Sequence, residues 1–243
     1  MSILGKIALG GIGVGVVALS LAWTIGGREL RHTIADGNFS WRSCDAGKVA
    51  VAGPERRLPW TGDDTISLAL SVPIRLVPGT GNDVVLSGAP ETIAHLDLKD
   101  GRLRADCRNL PDRQTVTIEL PSRALQKVRL SGSATAIIEQ LDQPALALTV
   151  SGSGQVQVKG TVERVTVTIR GSGDIRLNDV AMKRLTTRIA GSGNLEAGPK
   201  EEADITIAGS GNVRLLSRPA TLNTKIAGSG RITQPPVEAA DRK

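Results

Sequence analysis

The chain has few aromatic residues, and this shortage argues against one class of partner. Aromatic side chains make up 2% of the 243 residues, with one Phe, three Trp and no Tyr. A core must therefore be built from Val, Ile, Leu and Ala, and the repeats described below lack the side chains on which nucleic-acid bases stack. The net charge of +6 favours contact with anionic surfaces, but we expect no nucleic-acid partner.

Cysteine and histidine are also scarce, which argues against a metal centre. Cys44 and Cys107 are the only cysteines, and no C-x-x-C motif occurs. In an oxidising compartment they are candidates for a disulfide that closes a loop of about 60 residues and stabilises the fold by about 3–4 kcal/mol. The alternative is two buried thiols. His32 and His95 are far apart in the sequence and are expected at the surface, so we predict no metal site and no cofactor.

Familiar catalytic motifs are missing as well. The sequence contains no H-E-x-x-H, no P-loop G-K-[ST] and no G-x-S-x-G nucleophile elbow. The acidic pairs Asp63-Asp64 and Glu201-Glu202 fall in predicted turns, where solvated charge explains them. We therefore predict a protein that is not an enzyme. The alternative is a carbohydrate-active enzyme, a polysaccharide lyase or hydrolase, on the scaffold described below.

An apolar N-terminal segment predicts export or membrane anchoring. Residues 7–25 carry no charge, and 19 residues in a helix span about 29 Å, close to the hydrocarbon thickness of a bilayer. One interpretation is an uncleaved transmembrane anchor that contacts the membrane through this segment. The other is a signal peptide cut after Ala22. Either predicts a location in the cell envelope, periplasmic or surface-exposed.

A tripeptide, Gly-Ser-Gly, recurs at nearly constant spacing through the second half of the chain. The gaps between its middle serines are 20, 19, 20, 18 and 19 residues, which indicates a stacked repeat architecture. In the first copy, around Ser133, Ala134 replaces the second glycine. The predicted turn residues of the five complete copies are Gly152, Ser153, Gly154, Gly171, Ser172, Gly173, Gly191, Ser192, Gly193, Gly209, Ser210, Gly211, Gly228, Ser229 and Gly230.

The residues around each serine alternate between apolar and polar with period two. The positions three before and three after the serines are all apolar. The column four before them is polar and consists of Arg129, Thr149, Thr168, Arg188, Thr206 and Lys225. This alternation is typical of strands, and about 19 residues at 3.3 Å give a coil roughly 60 Å around. The sequence therefore predicts an all-β parallel β-helix in which each coil packs on the next.

The predicted domain organisation follows from these patterns. We assign residues 1–26 to the anchor or signal peptide and 27–60 to a linker and cap. Residues 61–233 form the β-helix, with irregular early coils before the repeats. Residues 234–243, which contain two prolines and several charges, are expected to form a flexible tail.

The pattern of a strand-rich leader, "TVTIELPS" and "LQKVRLSGSATA", followed by repeated "SGSGxVxV" coils resembles the head GIN domain family. That family is described as a "putative auto-transporter adhesin" domain. The resemblance implies a right-handed parallel β-helix, often on secreted or envelope proteins. It implies no catalytic residues.

The polar column also suggests a binding surface. Arg129, Arg188 and Lys225 are expected to stand on one flat strand face, where they would form a shallow platform for anionic glycans or lipid headgroups. The alternative is an ordinary solvated face, on which charge prevents aggregation. We predict a non-catalytic, envelope-associated adhesin or module that binds a surface, a glycan or an envelope protein, and the sequence leaves an oligomer open.

Overall fold

The structure is a computed structural model that describes residues 44, 53–60, 64–107, 110, 113–121 and 125–236. The predicted N-terminal segment and His32 lie outside the described residues. So do Asp63, most of the predicted linker and cap, and the last seven positions of the predicted tail, 237–243. None of the helices in the described ranges is long and apolar enough to cross a membrane.

The described residues form a single hydrogen-bonded sheet system of 15 strands and one short helix. The strands are β1 (Glu55–Pro59), β2 (Thr65–Ala69), β3 (Ile74–Gly79), β4 (Asp83–Ser87), β5 (Leu96–Lys99), β6 (Arg102–Ala105), β7 (Val116–Pro121), β8 (Lys127–Gly132), β9 (Thr135–Gly152), β10 (Gln155–Gly171), β11 (Asp174–Gly191), β12 (Asn194–Gly209), β13 (Asn212–Leu215), β14 (Thr221–Gly228) and β15 (Arg231–Thr233). The helix, α1, comprises Pro90–Ala94.

The strands wind into a β-solenoid of about five turns, which confirms the all-β solenoid prediction. Strands β8 to β15 pair in parallel with the strand one coil away, in the order of the repeats. The glycines before the repeat serines stack in register, with Gly132 beside Gly152 and Gly152 beside Gly171. The right-handed winding implied by the resemblance stays a prediction.

The predicted apolar columns form the core. Val150, Ile169, Ile189 and Ile207 pair in register and are at most 1% exposed, whereas the polar column beside them faces outward. The column ends at Ile226 in β14, which is 43% exposed because the described strands continue no further beyond it on that side. The core is thus continuous along the coils and opens at the C-terminal end.

The residues before the repeats form shorter and less regular coils, as the sequence indicates. Strand β2 pairs in parallel with β8, and β3 pairs in parallel with both β7 and β9. Strand β1, inside the segment predicted as linker and cap, pairs antiparallel with β4. Strands β5 and β6 form a hairpin whose two turn residues, Asp100 and Gly101, both have positive φ (50° and 68°), as two-residue hairpin turns favour.

The two glycines of each repeat have different roles. The glycine before the serine adopts positive φ, from 95° at Gly132 to 128° at Gly191 and Gly228. The following amide of the serine donates a hydrogen bond to the coil below, for example from Ser172 to the Gly152 carbonyl at 2.9 Å. An L residue is disfavoured at such a φ, and glycine is not.

The second glycine is required for space, because its φ lies outside the positive range. A Cβ at Gly173 would lie 2.6 Å from Val150 Cγ1 and 2.9 Å from the Gly154 carbonyl oxygen. The first copy tolerates Ala134 there, buried at 3% exposure, because no equivalent repeat packs beneath it. Steric contact with the preceding coil therefore selects this glycine.

Candidate binding surface

One face of the solenoid, here called the basic face, consists of the outward side chains of stacked strand segments. Each segment ends at the glycine that precedes a repeat serine, and the segments are 127–132, 145–152, 164–171, 184–191, 202–209 and 221–228. Period-two alternation sends every second side chain of these segments outward. The resulting surface is flat and carries mostly Thr, Ala, Ser and basic residues.

The basic face places the predicted cations in one row and adds others. Arg129, Arg188 and Lys225 belong to the same register row, which the threonines of the intervening coils complete. Adjacent strands lie about 4.8 Å apart, so Arg129 and Arg188 stand about 14 Å apart along the solenoid. The face also carries exposed cations that the aligned column missed, namely Lys127, Arg164, Arg170 and Arg184.

Nearly all these cations are electrostatically unpaired. Lys127 contacts Asp64, with 2.6 Å between Nζ and Oδ2. Within the part of the chain that the structure describes, the other six form no ion pair and no side-chain hydrogen bond. Acidic groups are few on this face. Glu202 and Asp204 lie towards its C-terminal end, and Asp204 already accepts a hydrogen bond from the Asn223 amide at 2.8 Å.

The face formed by the segments after each repeat serine behaves differently. Several of its polar side chains are paired along the coils: the Asn194 amide donates to Asp174 at 2.7 Å, and the Asn212 amide donates to Asn194 at 3.1 Å. Arg214 pairs with Glu196 at 3.5 Å. Because these groups are already partnered, they have less free capacity to bind a ligand than the unpaired cations of the basic face.

Of the two acidic pairs, the structure describes Asp64, Glu201 and Glu202. The hydrogen bond from the Lys127 ammonium to Asp64, followed by one from the Thr65 hydroxyl, lowers the pKa of the Asp64 carboxyl. The prediction that Glu201 and Glu202 lie in a turn was wrong, because both belong to strand β12. The strand continues through them because its partner β11 supplies a register neighbour, Arg184, beside Glu202.

A second feature is a cleft of about 460 Å³ beside the β5–β6 hairpin. Cys44 and Cys107 form a disulfide, with a Cα–Cα distance of 5.3 Å. The prediction that His95 is a surface residue was wrong, since it is 8% exposed and its Nδ1 lies 2.9 Å from Asp106 Oδ1. Spacing in the sequence gave no signal for this convergence, because helix α1 and the hairpin bring the groups together.

The sequence profile of the family described as "Putative auto-transporter adhesin, head GIN domain" matches residues 64–233. The chain belongs to the head GIN domain family. Membership supports an adhesin-like role. The description of the family as a "putative" adhesin domain is consistent with a protein that is not an enzyme.

One crystal structure with a TM-score above 0.5 shares the fold of this chain, and two further ones are more distantly similar. A "putative adhesin" from Bacteroides fragilis superposes with a TM-score of 0.58 at 18% identity, covering 74% of this chain and 96% of that chain. A "putative lipid binding protein" from Parabacteroides distasonis gives 0.47 at 19% identity, covering 76% and 98%. A "putative adhesin" from Parabacteroides merdae gives 0.43 at 15% identity, covering 78% and 97%. A comparison with curated proteins found no match.

Proposed function

We propose that this head GIN protein is a non-catalytic, exported module of the cell envelope that binds an anionic polysaccharide on its basic face. The observation that supports this role is the set of six exposed and unpaired cations on one flat parallel sheet. A solvent-exposed cation without a partner loses little on meeting an anionic group, because no existing ion pair has to be broken.

The arrangement suits an extended polymer better than a small molecule. The cations are distributed over the coils from β8 to β14 at a spacing set by the strand-to-strand distance of about 4.8 Å. The rows are open and flat, with no enclosing wall, so each contact is weak and affinity must come from several contacts along one chain. The threonines between the cations provide hydroxyl groups that hydrogen bond to sugars.

The proposal is tested by removing one row of charge. We design the triple variant Arg129→Thr, Arg188→Thr and Lys225→Thr, because threonine already occupies the other positions of that row. Binding of the purified full chain to immobilised dextran sulfate is measured at several salt concentrations. Three lost contacts of 0.2–1 kcal/mol each predict affinity about tenfold weaker and a shallower dependence on salt.

The matched control changes the same charge elsewhere. Arg57, Arg176 and Arg231 are exposed, lie off the basic face and form no ion pair among the described residues. Their triple replacement by threonine also lowers the net charge by three, and we expect it to retain most of the binding. If both triple variants lose the same binding affinity for dextran sulfate, net charge alone explains the binding, and the proposal of a specific binding face is contradicted. If the wild-type chain binds phosphatidylglycerol vesicles but not dextran sulfate, the proposal that its ligand is an anionic polysaccharide is contradicted.

The alternative, a polysaccharide lyase or hydrolase on the same solenoid, makes a separate prediction. Such an enzyme would release oligosaccharides from acidic polysaccharides, which is measured by the appearance of reducing or unsaturated ends. On our proposal the full chain binds these polymers and leaves their length unchanged.

A further inference from the structure

The disulfide, His95 and Asp106 form a cluster that the proposed binding role does not use. The two sulfurs and one ring nitrogen of His95 all lie within 4.8 Å of one another. Cys44 and Cys107 are partly buried and His95 is buried. Two cysteines and a histidine are a ligand set that suits a thiophilic divalent ion such as Zn²⁺.

The fold holds His95 in place from several directions. The Asp106 amide donates to the His95 carbonyl at 3.0 Å, which extends the pairing of β5 with β6 by one residue pair and places Cys107 next in line. The Arg56 guanidinium donates to the carbonyls of Ile93, Ala94 and Leu96 at 2.8–3.1 Å, which fixes the backbone on both sides of His95. The imidazole is therefore positioned by structure that does not depend on the disulfide.

The contact with Asp106 also sets the chemistry of the ring. A carboxylate accepts hydrogen bonds and does not donate them, so the 2.9 Å contact with Asp106 suits the tautomer in which His95 Nδ1 carries the proton. The other ring nitrogen of a neutral imidazole then keeps its lone pair. A histidine that donates one N–H to a carboxylate is the usual arrangement of metal-binding imidazoles, in which the carboxylate orients the ring and raises its basicity.

We propose that, when the Cys44–Cys107 disulfide is reduced, the two thiolates and His95 bind one Zn²⁺, with Asp106 as a positioning residue. Reduction by a dithiol transfers two electrons and two protons to the disulfide, giving two thiols, while the dithiol becomes a disulfide. Zinc then displaces the two thiol protons and forms two Zn–S bonds and one Zn–N bond. Solvent completes the fourth position on the side of the cleft.

The site would keep one cross-link across two redox states. The disulfide joins positions 63 residues apart in the oxidised protein, and the metal would join the same positions in the reduced protein. Tetrahedral zinc with Zn–S bonds of about 2.3 Å needs the sulfurs to separate by less than about 2 Å from their bonded distance. Rotation of the two cysteine side chains is sufficient for this change.

The test uses Co²⁺, whose coordination is visible in absorption spectra, as a probe for zinc. The full chain is reduced with a phosphine, in which water supplies the oxygen of the phosphine oxide, and is desalted without oxygen before titration. We expect one Co²⁺ per reduced chain, with a thiolate charge-transfer band and the visible bands of tetrahedral cobalt. Zn²⁺ should abolish both, and the oxidised protein should show neither.

Variants separate this site from incidental binding by thiols. His95→Gln should weaken Co²⁺ binding and alter the visible bands, and its fold is checked in the oxidised form, where the disulfide remains. Asp106→Asn should weaken binding about tenfold or more. The matched control is Asp97→Asn, which removes a carboxylate that lines the same cleft and pairs with Arg104 at 3.7 Å. This control should bind like the wild type.

Two results would overturn the inference. The first is a reduced wild-type chain, folded by circular dichroism, that gives no cobalt bands. The second is a set of bands that His95→Gln leaves unchanged in position and affinity. If the Cys107→Ser variant folds, it should also lose the cobalt bands. If it does not fold, the His95→Gln variant alone tests the proposal.

Discussion

At the scale of single residues, each of the three positions of the Gly-Ser-Gly motif has a different structural role. The first glycine supplies a positive φ, the serine supplies an exposed corner whose amide bonds to the coil below, and the second glycine leaves room for an apolar side chain. The hydroxyls of the repeat serines make no hydrogen bonds to one another among the described residues. The motif is therefore maintained by backbone geometry and not by a ladder of hydroxyl groups.

These different roles predict that replacing a glycine of the motif by alanine lowers the stability by an amount that depends on the position. Gly171→Ala places a Cβ 2.5 Å from the Gly152 carbonyl oxygen at a φ of 117°. We expect about 1 kcal/mol of conformational strain together with about 1–3 kcal/mol from the steric contact. The urea midpoint of the full chain measures the loss of stability.

The matched control is Gly132→Ala in the first repeat. Gly132 also has positive φ, 95°, but a Cβ there meets no atom within 4 Å. It should therefore cost only the strain of about 1 kcal/mol. Equal effects of the two substitutions would show that contact with the preceding coil is unimportant.

At the scale of strands, the column five residues before each serine contains two threonines, of which only Thr187 is buried. Thr187 in β11 lies between Val167 and Ile205 in register and is 2% exposed. Its hydroxyl oxygen has no hydrogen-bond partner. A buried polar group without a partner loses its hydration without compensation, so this position weakens the strand that it occupies.

Replacement of Thr187 by valine should stabilise the protein. Valine has nearly the same shape, continues the column of β-branched side chains and removes the unpaired hydroxyl. We expect a gain of about 1 kcal/mol, seen as a higher urea midpoint. Thr186→Val changes the same groups on the adjacent exposed position and should stay within about 0.5 kcal/mol of the wild type. A loss of stability in Thr187→Val would mean that the hydroxyl has a partner in solution.

At the scale of the whole molecule, the solenoid is closed unequally at its two ends. The N-terminal coils are covered by β1, β4 and the β5–β6 hairpin, whereas β14, among the described strands, pairs only with β12. Ile226 therefore lies in the same apolar column as Ile189 with 43% exposure against 0%. In a stacked architecture, each coil is stabilised mainly by its neighbours, so the last coil is the least stable.

One pair of identical substitutions tests this gradient. Ile189→Ala should cost about 2–5 kcal/mol, because it leaves a cavity between two coils. Ile226→Ala should cost less than about 1 kcal/mol, because solvent already reaches that side chain. The two urea midpoints are compared with that of the wild type. Similar losses would indicate that the end of the solenoid is covered in solution, for example by a second copy.

The sequence by itself determined the strands, their stacking and the family. Period-two alternation and a repeat of about 19 residues define which side chains face inward, and like-on-like columns leave only one register between coils. The same columns predicted the row that contains Arg129, Arg188 and Lys225. These properties are local and periodic, and for this reason one chain without its coordinates was sufficient to predict them.

Only the tertiary structure decided the features that do not repeat. It showed which glycine of each motif has positive φ, since sequence alone does not distinguish a backbone requirement from a lack of space. It placed Arg164, Arg170 and Arg184 on the same face, because the strands carry outward side chains on both sides of the aligned polar column. It also buried His95 beside Cys44 and Cys107, because a helix and a hairpin of irregular length bring these residues together, and no period in the sequence encodes such a contact.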